Sequence, residues 1–158
     1  MQTPKLKIFI LCLGFAFGKS QGQNLVPNPS FEIYTSCPDN TNQLDSAPPW
    51  FNPAPAILGG GSPDYFNMCY TTGGTNVDVP LNFAGFQNAR TGNGYSGFGL
   101  FFSFGNLHEY IEAPLIDTLM PNKKYCATFY ISLAGGSKYA IDKVGLYFSN
   151  IIINNVTN

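Results

Sequence analysis

Apolar and polar residues alternate along several stretches of the chain, and this alternation predicts β-strands. The central example, residues 83–115, joins a polar, glycine-rich turn at 88–94 to an alternating segment at 95–104 and then to a short extended run at 109–113. Successive side chains of a strand point to opposite faces of a sheet. We therefore predict that residues 95–104 and 109–113 pair as a central hairpin.

Glycine thins one face of the first predicted strand. Gly97 and Gly99 share that face with Tyr95, whereas Phe98 and Leu100 lie on the other face. A glycine inside a strand marks a bulge or a place where another group approaches the backbone closely. The approaching group is either a ligand or another loop of the chain.

Two later segments alternate in the same way. Residues 124–134 and 139–150 each place apolar side chains on one face, with Tyr130 and Tyr147 on the opposite faces. Near the start, a strand is predicted to begin at Ser30. No segment of comparable length shows a helical period, so the sequence predicts an all-β fold, a β-sandwich or jelly roll.

The strand-like end of the chain, residues 151–158, has no further strand after it. We count about six or seven strands, whereas a jelly roll usually has eight. We therefore expect a sandwich that is incomplete at its C-terminus. The chain is then a fragment, a prematurely ended product, or a protein that pairs this edge with a partner.

Residues 34–79 have a different character, because turn-forming residues dominate and aromatic residues lie between them. A loop of this length without contacts of its own is improbable inside a compact domain. We expect it to be held by a disulfide and by four aromatic side chains: Trp50, Phe51, Tyr65 and Phe66.

The first 22 residues, 1–22, have the pattern of a secretory signal peptide. Lys5 and Lys7 precede an apolar run, residues 8–17, which is too short to span a bilayer. Cleavage near Gly22 leaves one domain, residues 23–158, with no transmembrane span.

The mature chain keeps five basic residues against nine acidic ones, a net charge of −4, because three of the eight basic residues lie in the signal peptide. Binding to nucleic acid requires a basic surface, so this composition excludes it as a function.

Three cysteines remain after the signal peptide. Cys37 and Cys69 lie in turn-rich sequence, and in an oxidising compartment we expect them to form a disulfide. Cys126 lies in an alternating segment and is predicted to be a small buried hydrophobe. Zinc is rejected, since the single histidine, His108, leaves the ligand set incomplete.

Several motifs in order resemble one family. NLVPNPSFE, SPDYFNMC, VPLNFAGFQNARTGNGYSG, HEYIEAPL, KYCATFYISLA and YAIDKVGLYFSN together resemble the N-terminal module of secreted and outer-membrane proteins of gliding bacteria. Such modules often precede an OmpA-like domain or a type IX sorting signal, and they look like galactose-binding-like jelly rolls of carbohydrate-binding modules. This chain departs from the family in ending shortly after the last motif, with neither of those elements.

The resemblance implies a secreted or cell-envelope location, in the periplasm or on the outer-membrane surface. It also implies a non-catalytic module that binds glycan or other cell-surface material. The alternative is an adhesion or assembly module that recognises protein, without a glycan ligand, through an open edge strand. Related jelly rolls often hold a structural calcium ion with a first-strand glutamate, which here is Glu32. Asp142 is a poor match for the late aspartate of such a site.

Sugar-binding sandwiches stack aromatic rings on pyranose faces beside polar side chains. Aromatic candidates for such a site are Trp50, Tyr65, Tyr95, Tyr130 and Tyr147, although covering the core or fixing the long loop is the more common role for any one such ring. Arg90, the single arginine, is suited to a carboxylate or a pair of sugar hydroxyls. A structural ion pair with Glu109 or Glu112 is the competing role.

Catalytic patterns have little support in the sequence. His108-Glu109 lacks the second histidine of a zinc protease, and no G-x-S-x-G elbow is present. A glycosidase needs two carboxyl groups across a cleft. Among Glu109, Glu112, Asp117 and Asp142, no spacing predicts such a pair, so we do not expect an enzyme.

Overall fold

Short antiparallel strands form the regular structure of the chain. The computed structural model describes residues 22–54, 61–70, 76–102 and 108–153. A 3-10 turn lies at Leu44–Ser46, followed by four strands: β1 (Asp64–Asn67), β2 (Leu81–Asn82), β3 (Gly85–Phe86) and β4 (Gly94–Gly97). The described residues contain no α-helix, and most of them are irregular. The all-β class is confirmed at this level, without a clear sandwich.

The sheet formed by β1 and β4 lies at the centre of the core. All four residues of β1 are buried, and the strand pairs antiparallel with β4 so that Phe66 lies opposite Tyr95. The two rings stack with their centroids 5.0 Å apart. Phe66 also forms the core cluster with Val77 and Val79. Burial of these apolar groups favours the sheet by roughly 1.5–3 kcal/mol per large side chain.

Close packing explains the glycines of β4 and the residues after it. A Cβ atom on Gly97 would lie 2.6 Å from the Phe66 ring, and one on Gly94 would lie 2.8 Å from both the Asn67 amide and the Phe31 carbonyl. A Cβ on Gly99 would overlap the Phe102 ring. The groups that approach these glycines therefore belong to the chain itself.

In the described residues, the main strand pairing differs from the predicted central hairpin. β4 ends at Gly97 and pairs with β1 rather than with residues 109–113. The second segment instead places Glu112 opposite Phe51 in an isolated antiparallel bridge. One backbone bond does join the two predicted strands, from Glu109 N to Gly99 O at 2.8 Å. In the β1–β4 pairing, Phe66 stacks on Tyr95, and sequence alternation carries no information about which segment pairs with β4.

A turn replaces the strand predicted to begin at Ser30. Asn28 and Phe31 have positive φ angles of 43° and 59°, and Phe31 N donates to Asn28 O at 3.1 Å. The Asn28 side chain donates to Ile33 O at 2.7 Å and accepts from Ile33 N at 3.0 Å. Because this side chain satisfies the backbone groups that a strand partner would otherwise bind, the chain reverses direction here.

The two longest predicted strands are also wrong. Residues 124–134 and 139–150 belong to no strand, and nearly all of their side chains are exposed. Among the described residues, no backbone-to-backbone hydrogen bond involves residues 124–133 or 138–150. A strand requires a neighbouring strand to satisfy its backbone, and the part of the chain that the structure describes supplies none to these segments. We call residues 123–153 the ribbon.

The ribbon touches the rest of the chain at a few points. Gly136 N donates to Ala84 O at 2.8 Å, in the turn between β2 and β3. Phe101 contacts Tyr139 edge to face with centroids 5.4 Å apart, and Ile153 N donates to a Glu112 carboxylate oxygen at 3.2 Å. These contacts fix the path of the ribbon without burying its apolar side chains.

The disulfide between Cys37 and Cys69 is confirmed, with Cα atoms 5.8 Å apart. The predicted burial of Cys126 is wrong, because this thiol is exposed. The alternating pattern implied a second layer of side chains over Cys126, and the described residues do not form such a layer.

Some predictions fall outside the described residues. The signal peptide lies there except for Gly22, as do the last residues of the first predicted strand, 103–104, and the chain end, 154–158. In the described part of the chain, no helix has the length and apolarity needed to cross a membrane.

Candidate functional site

Three of the predicted aromatic site residues serve packing in this structure. Tyr65 is fully buried, and its hydroxyl donates to Phe31 O at 2.8 Å. Burial raises the pKa of Tyr65 to about 12. Trp50 stacks on Phe31 with centroids 5.0 Å apart and donates from its ring nitrogen to Asn28 O at 2.9 Å. Both side chains hold the turn-rich segment in place, as the sequence predicted for them.

Tyr95 is half-buried against the core cluster. Its hydroxyl accepts a hydrogen bond from the Asn82 amide at 2.7 Å. Burial raises the pKa of Tyr95, and the Asn82 hydrogen bond opposes that shift. Because one ring face stacks on Phe66, this side chain has little surface left for a ligand.

Two other predicted residues meet at the surface. The guanidinium carbon of Arg90 lies 3.6 Å from the centroid of the Tyr130 ring. Beside this pair, Ser132 Oγ donates to Gln87 Oε1 at 2.7 Å. We call Gln87, Arg90, Tyr130 and Ser132 the platform. An exposed cation–π contact contributes about 0.5–1 kcal/mol.

The platform joins the turn before β4 to the ribbon. Tyr130 remains 66% exposed although the guanidinium covers part of its ring. The expected ion pair between Arg90 and Glu109 or Glu112 is not formed, since Arg90 lies over Tyr130 instead. The platform therefore combines an accessible ring with a cation, an amide and a hydroxyl.

Tyr147 lies on the ribbon and is 79% exposed. Among the described residues, it shares no hydrogen bond or ring contact with the platform. The structure therefore brings together two of the six candidate binding residues, Arg90 and Tyr130, and leaves Tyr147 apart.

Glu32 anchors the glycine-rich turn. Its Oε1 accepts hydrogen bonds from the backbone N–H groups of Asn93 at 2.7 Å and Gly94 at 2.9 Å. Its Oε2 accepts one from the side-chain amide of Asn93 at 3.3 Å. Within the described residues, no group of three or more acidic, histidine or cysteine side chains is arranged to hold a metal. These contacts give Glu32 a structural role, and its role as a calcium ligand stays a prediction.

Two buried carboxyl groups lie at the start of β1, one on Asp64 of the strand itself and one on Glu109. Glu109 accepts hydrogen bonds from Ser62 N at 2.7 Å and from Gly99 N, so it joins two loops of the chain. Asp64 accepts from Asn42 N at 2.6 Å. Desolvation raises the pKa of Asp64 to about 6; the Asn42 hydrogen bond opposes this shift, and the charge of Glu109 adds to it. Glu109 therefore does not form the structural ion pair with Arg90 that was the alternative role for Arg90.

An open cleft of about 260 Å³ lies beside the disulfide. Its lining residues are Tyr34, Asn67, Met68, Cys69 and Asn93. The Asn67 amide is already bonded to the Tyr65 hydroxyl at 2.7 Å, and its oxygen accepts from Cys69 N. Sequence reasoning missed this cleft. Its signal in the sequence is the disulfide, which brings the segment after Cys37 to the end of β1.

Comparisons with known proteins add no assignment. No family model, curated protein or solved structure matches the chain. The function is therefore argued from the geometry described above.

Proposed function

We propose that the chain is a non-catalytic binding module, secreted or held in the cell envelope, whose ligand is glycan at a cell surface. The platform carries this proposal. An exposed aromatic ring packs against the C–H face of a pyranose, while guanidinium, amide and hydroxyl groups exchange hydrogen bonds with sugar hydroxyls. Tyr130 supplies the ring, and Arg90, Gln87 and Ser132 supply the polar groups.

The location is supported by two features. The disulfide between Cys37 and Cys69 is typical of proteins that fold in an oxidising compartment. The motif order resembles secreted and outer-membrane modules of gliding bacteria that precede OmpA-like domains. Both features favour a cell-envelope module over a cytoplasmic one.

The finer fold is part of the proposal. We infer that the ribbon becomes regular β-structure, giving a jelly-roll sandwich, when its two segments gain a neighbouring strand. The alternation of residues 124–134 and 139–150 is compatible with strands. Within the described residues, 124–133 and 138–150 form no backbone-to-backbone hydrogen bond, so most of their backbone groups are available for the ladder bonds that a partner strand would make.

A glycan array followed by titration of the best glycan tests the proposal. We expect binding that weakens about tenfold, or about 1.4 kcal/mol, in Tyr130→Ala and in Arg90→Ala, because each variant removes one component of the platform. Tyr147→Ala is the matched control, since it removes an exposed ribbon tyrosine that does not contact the platform.

Two results would count against the glycan function. One is the absence of binding to every glycan on the array. The other is an equal loss of affinity in all three variants, which would show that the platform has no special role.

A second function is favoured by a separate observation. The ribbon exposes apolar side chains together with long stretches that, among the described residues, form no backbone-to-backbone hydrogen bond, and strand addition uses a surface of this kind. An adhesion or assembly module that binds protein is therefore the alternative, and it does not require a glycan.

A further inference from the structure

The ribbon carries an unusual amount of exposed apolar surface. Twelve of its large apolar or aromatic side chains are at least 43% exposed: Tyr125, Phe129, Tyr130, Ile131, Leu133, Tyr139, Ile141, Leu146, Tyr147, Phe148, Ile151 and Ile152. Soluble monomers rarely expose contiguous apolar patches above a few hundred Å². A surface of this kind is typical of one that is covered in the functional state.

Charge is divided unevenly between the ribbon and the rest of the mature chain. The ribbon contains four lysines and one aspartate, a net charge of +3, whereas residues 22–122 contain one arginine and eight acidic residues, a net charge of −7. Pairing of two ribbons would bring like charges together and is disfavoured. An acidic surface is the complementary partner for the ribbon.

The chain itself exposes apolar side chains at the disulfide cleft, and two exposed aspartates lie on the segment that follows Cys37. Tyr34 and Met68 line the cleft and are 42% and 50% exposed, and neighbouring Ile33 is 64% exposed. Asp39, two residues after Cys37, is exposed, as is Asp45. Thr35 N donates to Ser46 O at 2.9 Å, so the loop that carries Asp45 lies against the segment after Tyr34. We call Ile33, Tyr34, Asp39, Asp45 and Met68 the acidic face.

We propose that the ribbon of one copy docks on the acidic face of a second copy. The lysines of the ribbon meet Asp39 and Asp45, and its apolar side chains cover Ile33, Tyr34 and Met68. Because the two surfaces differ, the contact is head-to-tail, and repeating it builds open chains or a ring rather than a two-fold dimer. This inference goes beyond the glycan function and does not depend on it.

Charge reversal with complementation tests the docking. Sedimentation velocity of the mature chain, without glycan, should show association that grows with protein concentration and weakens with salt. Lys138→Glu/Lys143→Glu reverses charge on the ribbon, and Asp39→Lys/Asp45→Lys reverses it on the acidic face. Each double variant should associate at least about tenfold more weakly by itself. Asp117→Lys, an exposed acidic residue outside the acidic face, is the control and should associate like the unmodified chain.

Mixing the two double variants gives the decisive result. The reversed ribbon of one variant fits the reversed face of the other, while their unmodified surfaces still fit each other, so association should return. A misfolded variant cannot give this rescue. The proposal is overturned if the unmodified chain stays monomeric, even if it binds vesicles of anionic lipid. It is equally overturned if the double variants associate normally or if mixing them restores nothing.

Discussion

At the scale of single residues, carboxylates hold loops of this chain together by accepting backbone hydrogen bonds. Glu32 binds the amides of Asn93 and Gly94, and Glu109 binds those of Ser62 and Gly99. Each carboxylate spans a large sequence separation. Glu32 and Glu109 therefore each have a structural role in the folded chain.

Asp64 makes stability depend on pH. Its pKa rises from 3.8 to about 6 on folding, so the folded chain holds this proton more tightly than the unfolded chain does. The favourable contribution is fully present below pH 3.8 and is lost as the pH rises through 6.

Asp64→Asn should remove this dependence, because the amide oxygen still accepts from Asn42 N and carries no charge. At pH 7.5 we expect the variant to be more stable by about 1–2 kcal/mol. This is less than the full pKa shift would give, because solvent screens the charge of Asp64. At pH 4 the two chains should agree within about 0.5 kcal/mol. Urea unfolding at both pH values measures the difference, and a difference that is the same at both would contradict the assigned cause.

At the residue scale, some side-chain contacts could be predicted from the sequence and others could not. The aromatic clamps Trp50 and Tyr65 were predictable, because aromatic residues in a long turn-rich segment must pack against something. The contact between Arg90 and Tyr130 was not, since it joins positions 40 residues apart that share no strand pattern. The side-chain types of Arg90 and Tyr130 made each of them a candidate for ligand binding, and only the tertiary structure shows that they are in contact.

At the scale of elements, the sheet of β1 and β4 depends on close approach at glycine. Gly97→Ala would place a methyl group 2.6 Å from the Phe66 ring. We expect a loss of about 1–3 kcal/mol in the free energy of unfolding, the usual cost of overpacking a filled core. Gly145→Ala is the control, since nothing lies within 4 Å of the position that its methyl group would occupy.

Urea denaturation of both alanine variants measures this difference. The control should stay within about 0.5 kcal/mol of the unmodified chain. Equal stability of the Gly97 and Gly145 variants would show that the stack of Phe66 on Tyr95 does not constrain β4.

The disulfide connects the turn-rich segment to the end of β1. Cys37 and Cys69 are separated by 32 positions, and closing a loop of that length should contribute about 3–4 kcal/mol by the chain-entropy relation. Cys37→Ser/Cys69→Ser should therefore lower the melting temperature strongly, as followed by circular dichroism. Cys126→Ser should leave it unchanged, because that thiol is exposed. A stable double variant would show that packing alone holds the segment.

Alternation predicted the location of β4 but not its length or its partner. β1 was missed as a strand because all four of its residues are buried, which leaves no alternation to detect. The ribbon shows the opposite error, since residues 124–134 and 139–150 alternate without having a neighbour. A periodic pattern describes how a segment would lie in a sheet, whereas a strand partner decides whether the sheet exists.

At the scale of the whole molecule, the described residues divide into the ribbon and the residues before it, 22–122, which we call the body and which the disulfide crosslinks. Backbone bonds, buried carboxylates and the disulfide hold the body, whereas the ribbon makes few contacts with the other described residues. Net charge alone argues against nucleic acid as a ligand, and that expectation stays a prediction. The uneven charge of body and ribbon can also be counted from the sequence. It suggests a docking surface only because the structure shows that the ribbon is exposed.

Hydrogen–deuterium exchange of the dilute, monomeric chain tests this division most directly. Amides in local structure exchange at rates set by the free energy of opening. We expect slow exchange at the paired amides of β1 and β4. Amides of residues 124–133 and 138–150 should exchange close to the rates of an unfolded peptide. Slow exchange throughout the ribbon of the monomer would contradict the account, because it would show that the ribbon is already part of a closed sheet.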